Sequence, residues 1–97
     1  MKQLTVWFPE DLNPNTKELV AKFAEALAAK LHEAEKKYGY SDKWMMDNWE
    51  HECRQNFCHH LDKGDPRDVA AYCAFMWYHK WPTTLRKDPA AELGIVG

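Results

Sequence analysis

Residues 47–81 read DNWEHECRQNFCHHLDKGDPRDVAAYCAFMWYHKW, and this stretch contains two helix start signals. Asp47 and Asp65 each stand three residues before a second acid, a spacing typical of a helix N-cap and its first turn. Pro66 follows Asp65 directly, and proline is favoured at the first helical position because the N–H that it lacks has no partner there. The stretch therefore predicts two helices, over residues 48–63 and 66–80.

Apolar residues recur at helical spacing in both segments. In the first segment, an apolar residue stands at every fourth position: Trp49, Cys53, Phe57 and Leu61. In the second, the apolar stripe is wider and contains Val69, Ala70, Tyr72, Cys73, Phe75, Met76 and Trp77. A helix that is apolar over most of its circumference is normally buried, so we expect the second helix to lie at the centre of the fold.

A longer amphipathic helix is predicted upstream, over residues 16–38. Its apolar residues recur every three or four positions, at Leu19, Val20, Phe23, Leu27, Leu31, Ala34 and Tyr38. Asn15 with Glu18 three residues later predicts its N-cap, and Gly39 predicts its end. The pattern covers barely three heptads and is irregular, so we expect this face to pack against the later helices and not to form a coiled coil.

The three segments predict an all-α fold, a small three-helix bundle in one domain over residues 1–82. Residues 1–14 are expected to form an extended arm and a turn packed on the helical core of residues 15–82. Residues 83–97 show no sustained apolar period and are expected to form a loosely ordered tail. The expected core consists of Leu27, Leu31, Trp49, Cys53, Phe57, Val69, Cys73 and Met76.

Composition excludes several classes of protein. A hydrophobic content of 45%, a charged content of 29% and a net charge of −2 are typical of a globular domain without general attraction to nucleic acid or anionic membranes. The longest apolar run near the N-terminus is Val6-Trp7-Phe8, far too short for a signal peptide or a membrane span, so we expect a cytoplasmic location. Three cysteines indicate reduced thiols and no disulfide framework.

The four acids of the start signals also allow a metal hypothesis. Two pairs of carboxylates at i, i+3, one pair on each of two packed helices, would offer the oxygen ligands that Mg²⁺ prefers. The candidate ligands are Asp47, Glu50, Asp65 and Asp68. Helix capping explains all four acids without a metal, so capping is the favoured interpretation and no cofactor is expected.

Three segments carry a family resemblance: KYGYSDKW, Trp49 and HHLDKGDPRDVAAYCAFMWYHKW. They resemble a family of short proteins encoded by lambdoid phages and prophages, in which a KGDPxDVAAYxAFxWxH run recurs. The resemblance covers residues 34–81. It implies a phage or prophage accessory protein, and it implies no particular activity, because these small proteins are mostly uncharacterised.

A more distant resemblance concerns the acids. The MazG-like all-α nucleoside triphosphate pyrophosphohydrolases have an ExxE motif, a gap, and an ExxD motif followed by a hydrophobic helix. Here Asp47 and Asp65 replace glutamates, and Pro66 places the second pair at a helix start where that family has helix interior. The resemblance implies Mg²⁺ on the four acids, phosphate on Lys63 or Arg67, and attack by a metal-polarised water.

Aromatic residues suggest a different function. Five tryptophans, four tyrosines and four phenylalanines are more than a three-helix core of this size needs. Exposed aromatic side chains are typical of protein interfaces, and the candidates for such a patch are Trp7, Trp44, Trp77 and Trp81. Core packing is the alternative interpretation. We favour a protein that binds a protein partner over the hydrolase, and a homo-oligomer is compatible with either.

Overall fold

A computed structural model of the chain describes residues 3–39 and 41–84. Three α-helices and one short 3-10 turn follow one another in these residues: α1 (Pro14–Tyr38), the 3-10 turn (Lys43–Met45), α2 (Glu50–Lys63) and α3 (Pro66–His79). The described residues contain no strand. The prediction of a small all-α bundle with three main helices is therefore confirmed.

The start of α1 differs from the prediction. Asn13, not Asn15, is the N-cap, and its side-chain oxygen accepts a hydrogen bond of 2.8 Å from the backbone N–H of Asn15. The reason is Pro14, which occupies the first helical position and so moves the cap to the preceding residue. Gly39 ends the helix as predicted, with a left-handed φ of 77°.

α2 and α3 form an antiparallel hairpin with a two-residue connection. Gly64 ends α2 with a φ of 85°, a conformation that glycine adopts without strain. Asp65 caps α3 as predicted, since its Oδ1 accepts the backbone N–H of Arg67 at 2.9 Å. This short turn places the end of α2 beside the start of α3.

The predicted cap of α2 is wrong. Asp47 lies exposed in a bend, and α2 begins at Glu50 with Trp49 in the cap position and no side-chain capping bond. The Trp49 indole Nε1–H instead donates to the backbone carbonyl of Trp44 at 3.2 Å. Because this hydrogen bond fixes the Trp49 side chain towards Trp44, the helical conformation begins only at the next residue, Glu50.

α3 lies at the centre of the bundle, as expected, and packs against α1, α2 and the 3-10 turn. Only Cys53, Ala71 and Met76 are buried among the described residues. The other six expected core residues are half-buried, and Ala71 was not expected. Burial raises the pKa of the Cys53 thiol to about 11, so this thiol stays protonated and unreactive at neutral pH.

The N-terminal arm is not packed as expected. Residues 3–7 are exposed and have no regular secondary structure, and within residues 3–14 only Phe8 and Leu12 are half-buried. A single extended segment without a partner strand gains no backbone hydrogen bonds that would hold it. Of the expected tail, residues 85–97 lie outside the described residues.

No helix in the described part of the chain combines the length and the apolar character that crossing a membrane requires.

Met76→Ala should lower the free energy of unfolding by about 2–5 kcal/mol, because it removes a fully buried side chain of α3 from the core. Met46→Ala is the matched control, since Met46 is exposed beside the 3-10 turn, and its effect should stay within about 0.5 kcal/mol. Urea unfolding followed by tryptophan fluorescence measures both. Equal effects of the two substitutions would contradict the assignment of the core.

Candidate functional site

The Trp44 carbonyl oxygen joins two distant segments of the chain. It accepts the Trp49 indole N–H at 3.2 Å, and His79 Nε2 lies 2.6 Å from the same oxygen. Since a carbonyl oxygen can only accept, His79 carries its hydrogen on Nε2 and donates it. The 3-10 turn, the start of α2 and the end of α3 are thereby connected.

Aromatic rings surround this carbonyl. Trp44 stacks on Phe75 with ring centres 5.8 Å apart and meets the edge of Tyr78 at 4.9 Å. Trp81 stacks on His79 at 4.1 Å. We name the set the aromatic cluster: Trp44, Trp49, Phe75, Tyr78, His79 and Trp81. Trp44 and Trp81, two of the four tryptophans considered for partner binding, are thus half-buried structural residues.

The other two candidate tryptophans are exposed. Trp7 is 87% exposed on the N-terminal arm, and Trp77 is 82% exposed on α3. Trp77 borders a shallow depression of about 560 Å³, which we name the Trp77 depression. It is lined by Met76, Trp77, Tyr78, Lys80, Trp81 and Pro82. An exposed tryptophan beside this apolar hollow has the form of a protein-binding surface.

A second shallow depression, of about 420 Å³, lies at the α2–α3 turn. Its lining is Leu61, Gly64, Asp65, Pro66, Val69, Ala70 and Cys73. Unlike the Trp77 depression, it contains no aromatic side chain. We therefore regard it as the weaker candidate for a protein contact.

The acids at the start of α3 are engaged with cations. Lys30 Nζ on α1 lies 3.8 Å from Asp65 and 3.4 Å from Asp68, and Arg67 lies 3.1 Å from Asp65. The hydrogen bonds from the Arg67 side chain and backbone hold the pKa of Asp65 below its usual value. Asp65 thus combines a helix cap with an ion pair to Arg67, the residue considered for phosphate contact.

The acids near the start of α2 lie elsewhere. Glu50 accepts two hydrogen bonds from the Arg54 side chain, at 2.8 and 3.2 Å, and Arg54 also donates to the carbonyl of Thr84. Asp47 is exposed and precedes the helix. Lys63, the other residue considered for phosphate contact, is exposed at the opposite end of α2.

The two acid pairs are not brought together. α2 has 14 residues, which corresponds to about 21 Å, and α3 runs antiparallel to it. The pair at the start of α2 and the pair at the start of α3 therefore lie at opposite ends of the hairpin. Residues 3–39 and 41–84 contain no group of three or more histidine, cysteine, aspartate or glutamate side chains placed to hold a metal ion.

Two residues of this region had no sequence signal. Lys30 looks like an ordinary polar residue of an amphipathic helix, yet it connects α1 to both acids of α3. His60 stacks on Tyr72, and its Nδ1 is buried 3.6 Å from Asp68, too long for a hydrogen bond. Contacts between helices decide both positions, so spacing along one helix does not predict them.

No family model matches the chain, and no curated protein or solved structure is significantly similar to it.

Asp65→Asn should destabilise the protein less than Asp65→Ala. Asparagine keeps the oxygen that accepts the Arg67 N–H and loses only the charge, whereas alanine loses both. Because folding lowers the pKa of Asp65 from 3.8, its charge stabilises the fold above that pH, and this contribution disappears as pH falls further. The urea midpoints of wild type and Asp65→Asn at pH 7 and pH 3 measure this contribution of the Asp65 charge. A gap between wild type and Asp65→Asn that does not shrink at pH 3 would contradict this account.

Proposed function

We propose that this protein is a cytoplasmic accessory protein, of the kind that lambdoid phages and prophages encode, and that it acts by binding a protein partner through the Trp77 depression. The observation that carries the proposal is the 82% exposure of Trp77 in an otherwise well-formed helix. Its neighbours Phe75 and Met76 face the bundle, so Trp77 is on the side of α3 that no other element within residues 3–39 and 41–84 covers.

The chemistry of the depression indicates what kind of partner fits it. Trp77, Trp81 and Pro82 offer an apolar and rather rigid surface, which favours an inserted apolar or aromatic side chain. Stacking on His79 fixes the Trp81 ring, so this part of the lining of the depression is already in place before a partner binds. Lys80 at the same surface favours a partner with a carboxylate beside that side chain.

Binding is also favoured over hydrolysis by the placement of the acids. A Mg²⁺-dependent hydrolase needs carboxylates that converge on one ion. Here Glu50 is paired with Arg54, and Asp65 is paired with Arg67 while it caps α3. These interactions give Glu50 and Asp65 structural roles that do not involve a metal.

The proposal is tested by photo-crosslinking. A benzophenone amino acid is placed at position 82, in the lining of the depression, so that Trp77 is kept, or at exposed position 38 as the control, in cells that contain the natural partners. We expect one discrete protein product from position 82 and none from position 38. With that protein purified, Trp77→Ala should weaken binding at least tenfold, about 1.4 kcal/mol, and Tyr38→Ala should not. Unchanged binding by Trp77→Ala would refute the assigned surface.

A second experiment, on the purified protein alone, distinguishes the binding protein from the alternative, a Mg²⁺-dependent hydrolase. A Mg²⁺ titration followed by NMR, with a screen for pyrophosphate release from nucleoside triphosphates, should give no saturable site and no product. Joint saturation at Asp47, Glu50, Asp65 and Asp68, abolished by Asp65→Asn, would replace the binding proposal with enzymatic activity.

A further inference from the structure

We propose that Arg54 on α2 is a positioning residue for the Trp77 depression. Supported by Glu50, it anchors the chain that leaves α3 and thereby fixes Pro82 in the lining of the depression. We name residues 81–84 the exit segment. The inference rests on the proposed function, because it concerns what shapes the surface assigned there to the partner.

The exit segment has no regular secondary structure, so contacts with the helices define its path. At its start, the Trp81 backbone N–H donates to the Met76 carbonyl at 2.9 Å, which closes the end of α3. At its end, the Thr84 carbonyl accepts a hydrogen bond from Arg54 Nη1. The exit segment is therefore held at both ends, once on α3 and once on α2.

Proline limits the paths that the chain can take between these two anchors. The Pro82 ring fixes its own φ, and it confines Trp81 before it to extended conformations. Few backbone torsions then remain free between Trp81 and Thr84. Because Trp81 and Pro82 both line the Trp77 depression, the hydrogen bond from Arg54 constrains part of that lining without touching it.

The geometry of Arg54 explains how one side chain can serve both α2 and the exit segment. Its Nε and Nη2 donate to Glu50 Oε2, four residues earlier in α2, at 3.2 and 2.8 Å. These two bonds hold the planar guanidinium and leave Nη1 for the Thr84 carbonyl. Glu50, one of the acids considered for metal binding, thus orients Arg54.

This anchor complements the aromatic cluster. The cluster fixes the Trp81 ring, which stacks on His79 and meets Trp49 edge to face. Pro82 lies one residue beyond the cluster, and Arg54 holds the chain two residues further on. Two neighbouring residues of the lining are thereby fixed by different means, Trp81 by its ring contacts and Pro82 by the anchored backbone.

NMR relaxation of the Thr83 and Thr84 backbone amides, in the full chain without a partner, tests the anchor. In the wild type we expect order parameters of about 0.85, as in the helices, and in Arg54→Ala values of about 0.6 or lower. Lys22→Ala is the matched control, because it breaks an i, i+4 pair of the same kind with Glu18 on α1, and it should change nothing here. Wild-type amides as mobile as those of Arg54→Ala would overturn the inference.

Arg54→Lys keeps the test decisive if Arg54→Ala loses helical circular dichroism. Lysine retains an i, i+4 ion pair with Glu50, which supports the helix. Its single ammonium lacks the planar fork that bonds Glu50 and Thr84 at once, so the order parameters should fall as in Arg54→Ala. Wild-type order parameters in Arg54→Lys would contradict the anchoring role of the guanidinium.

Binding of the cross-linked partner connects the anchor to the depression. Arg54→Ala should weaken binding roughly fivefold or more, and Lys22→Ala should not. In a Pro82→Gly background, Arg54→Ala should weaken it less than about twofold, because the part of the lining that Arg54 positions is already lost. Equal losses in both backgrounds would overturn the inference. Unchanged binding by Trp77→Ala would instead refute the proposed function, and the order parameters would still decide whether Arg54 anchors the exit segment.

Discussion

The carbonyl oxygen of Trp44 is the point on which the arrangement of the 3-10 turn, α2 and α3 depends. It accepts hydrogen bonds from the Trp49 indole and from His79, which belong to the start of α2 and the end of α3. A half-buried carbonyl with two donors is well satisfied, and both donor rings also contact Trp81, Trp49 edge to face and His79 by stacking. A domain with few buried residues thus obtains through its aromatic side chains the order that a larger core would provide.

This constraint has consequences for function. Trp49 sets the start of α2, and Gly64 sets its end. The two acid pairs of the hairpin therefore lie beside opposite ends of α2. The same cluster holds Trp81 from one side, so that its other side can form part of the Trp77 depression. Half-buried Trp81 therefore forms part of the surface on which Trp77 is presented.

Local signals in the sequence predicted the elements well. Apolar spacing indicated all three helices, and the signals at Gly39, Gly64 and Asp65 depend on backbone geometry within a few residues. Signals that compete with other interactions failed. Asp47 has the spacing of a cap, but the indole of Trp49 is held by Trp44 and the helix starts later.

Exposure was the property that the sequence predicted least well. Composition cannot distinguish Trp44 from Trp77, since both are tryptophans in helical segments, and only the packing of α3 separates them. Likewise, the periodicity of α1 predicts an apolar face, but it does not show that Leu19, Val20 and Phe23 stay exposed among the described residues. The link from Lys30 to the acids of α3 depends on how two helices cross.

Solvent exchange of the tryptophan indole N–H groups, measured by NMR on the wild-type chain, tests the central claim most directly. We expect slow exchange for Trp49, whose Nε1–H donates a hydrogen bond to the Trp44 carbonyl, and fast exchange for the exposed Trp77. Exchange of Trp49 as fast as that of Trp77 would contradict both the anchoring role of the aromatic cluster and the surface built on it.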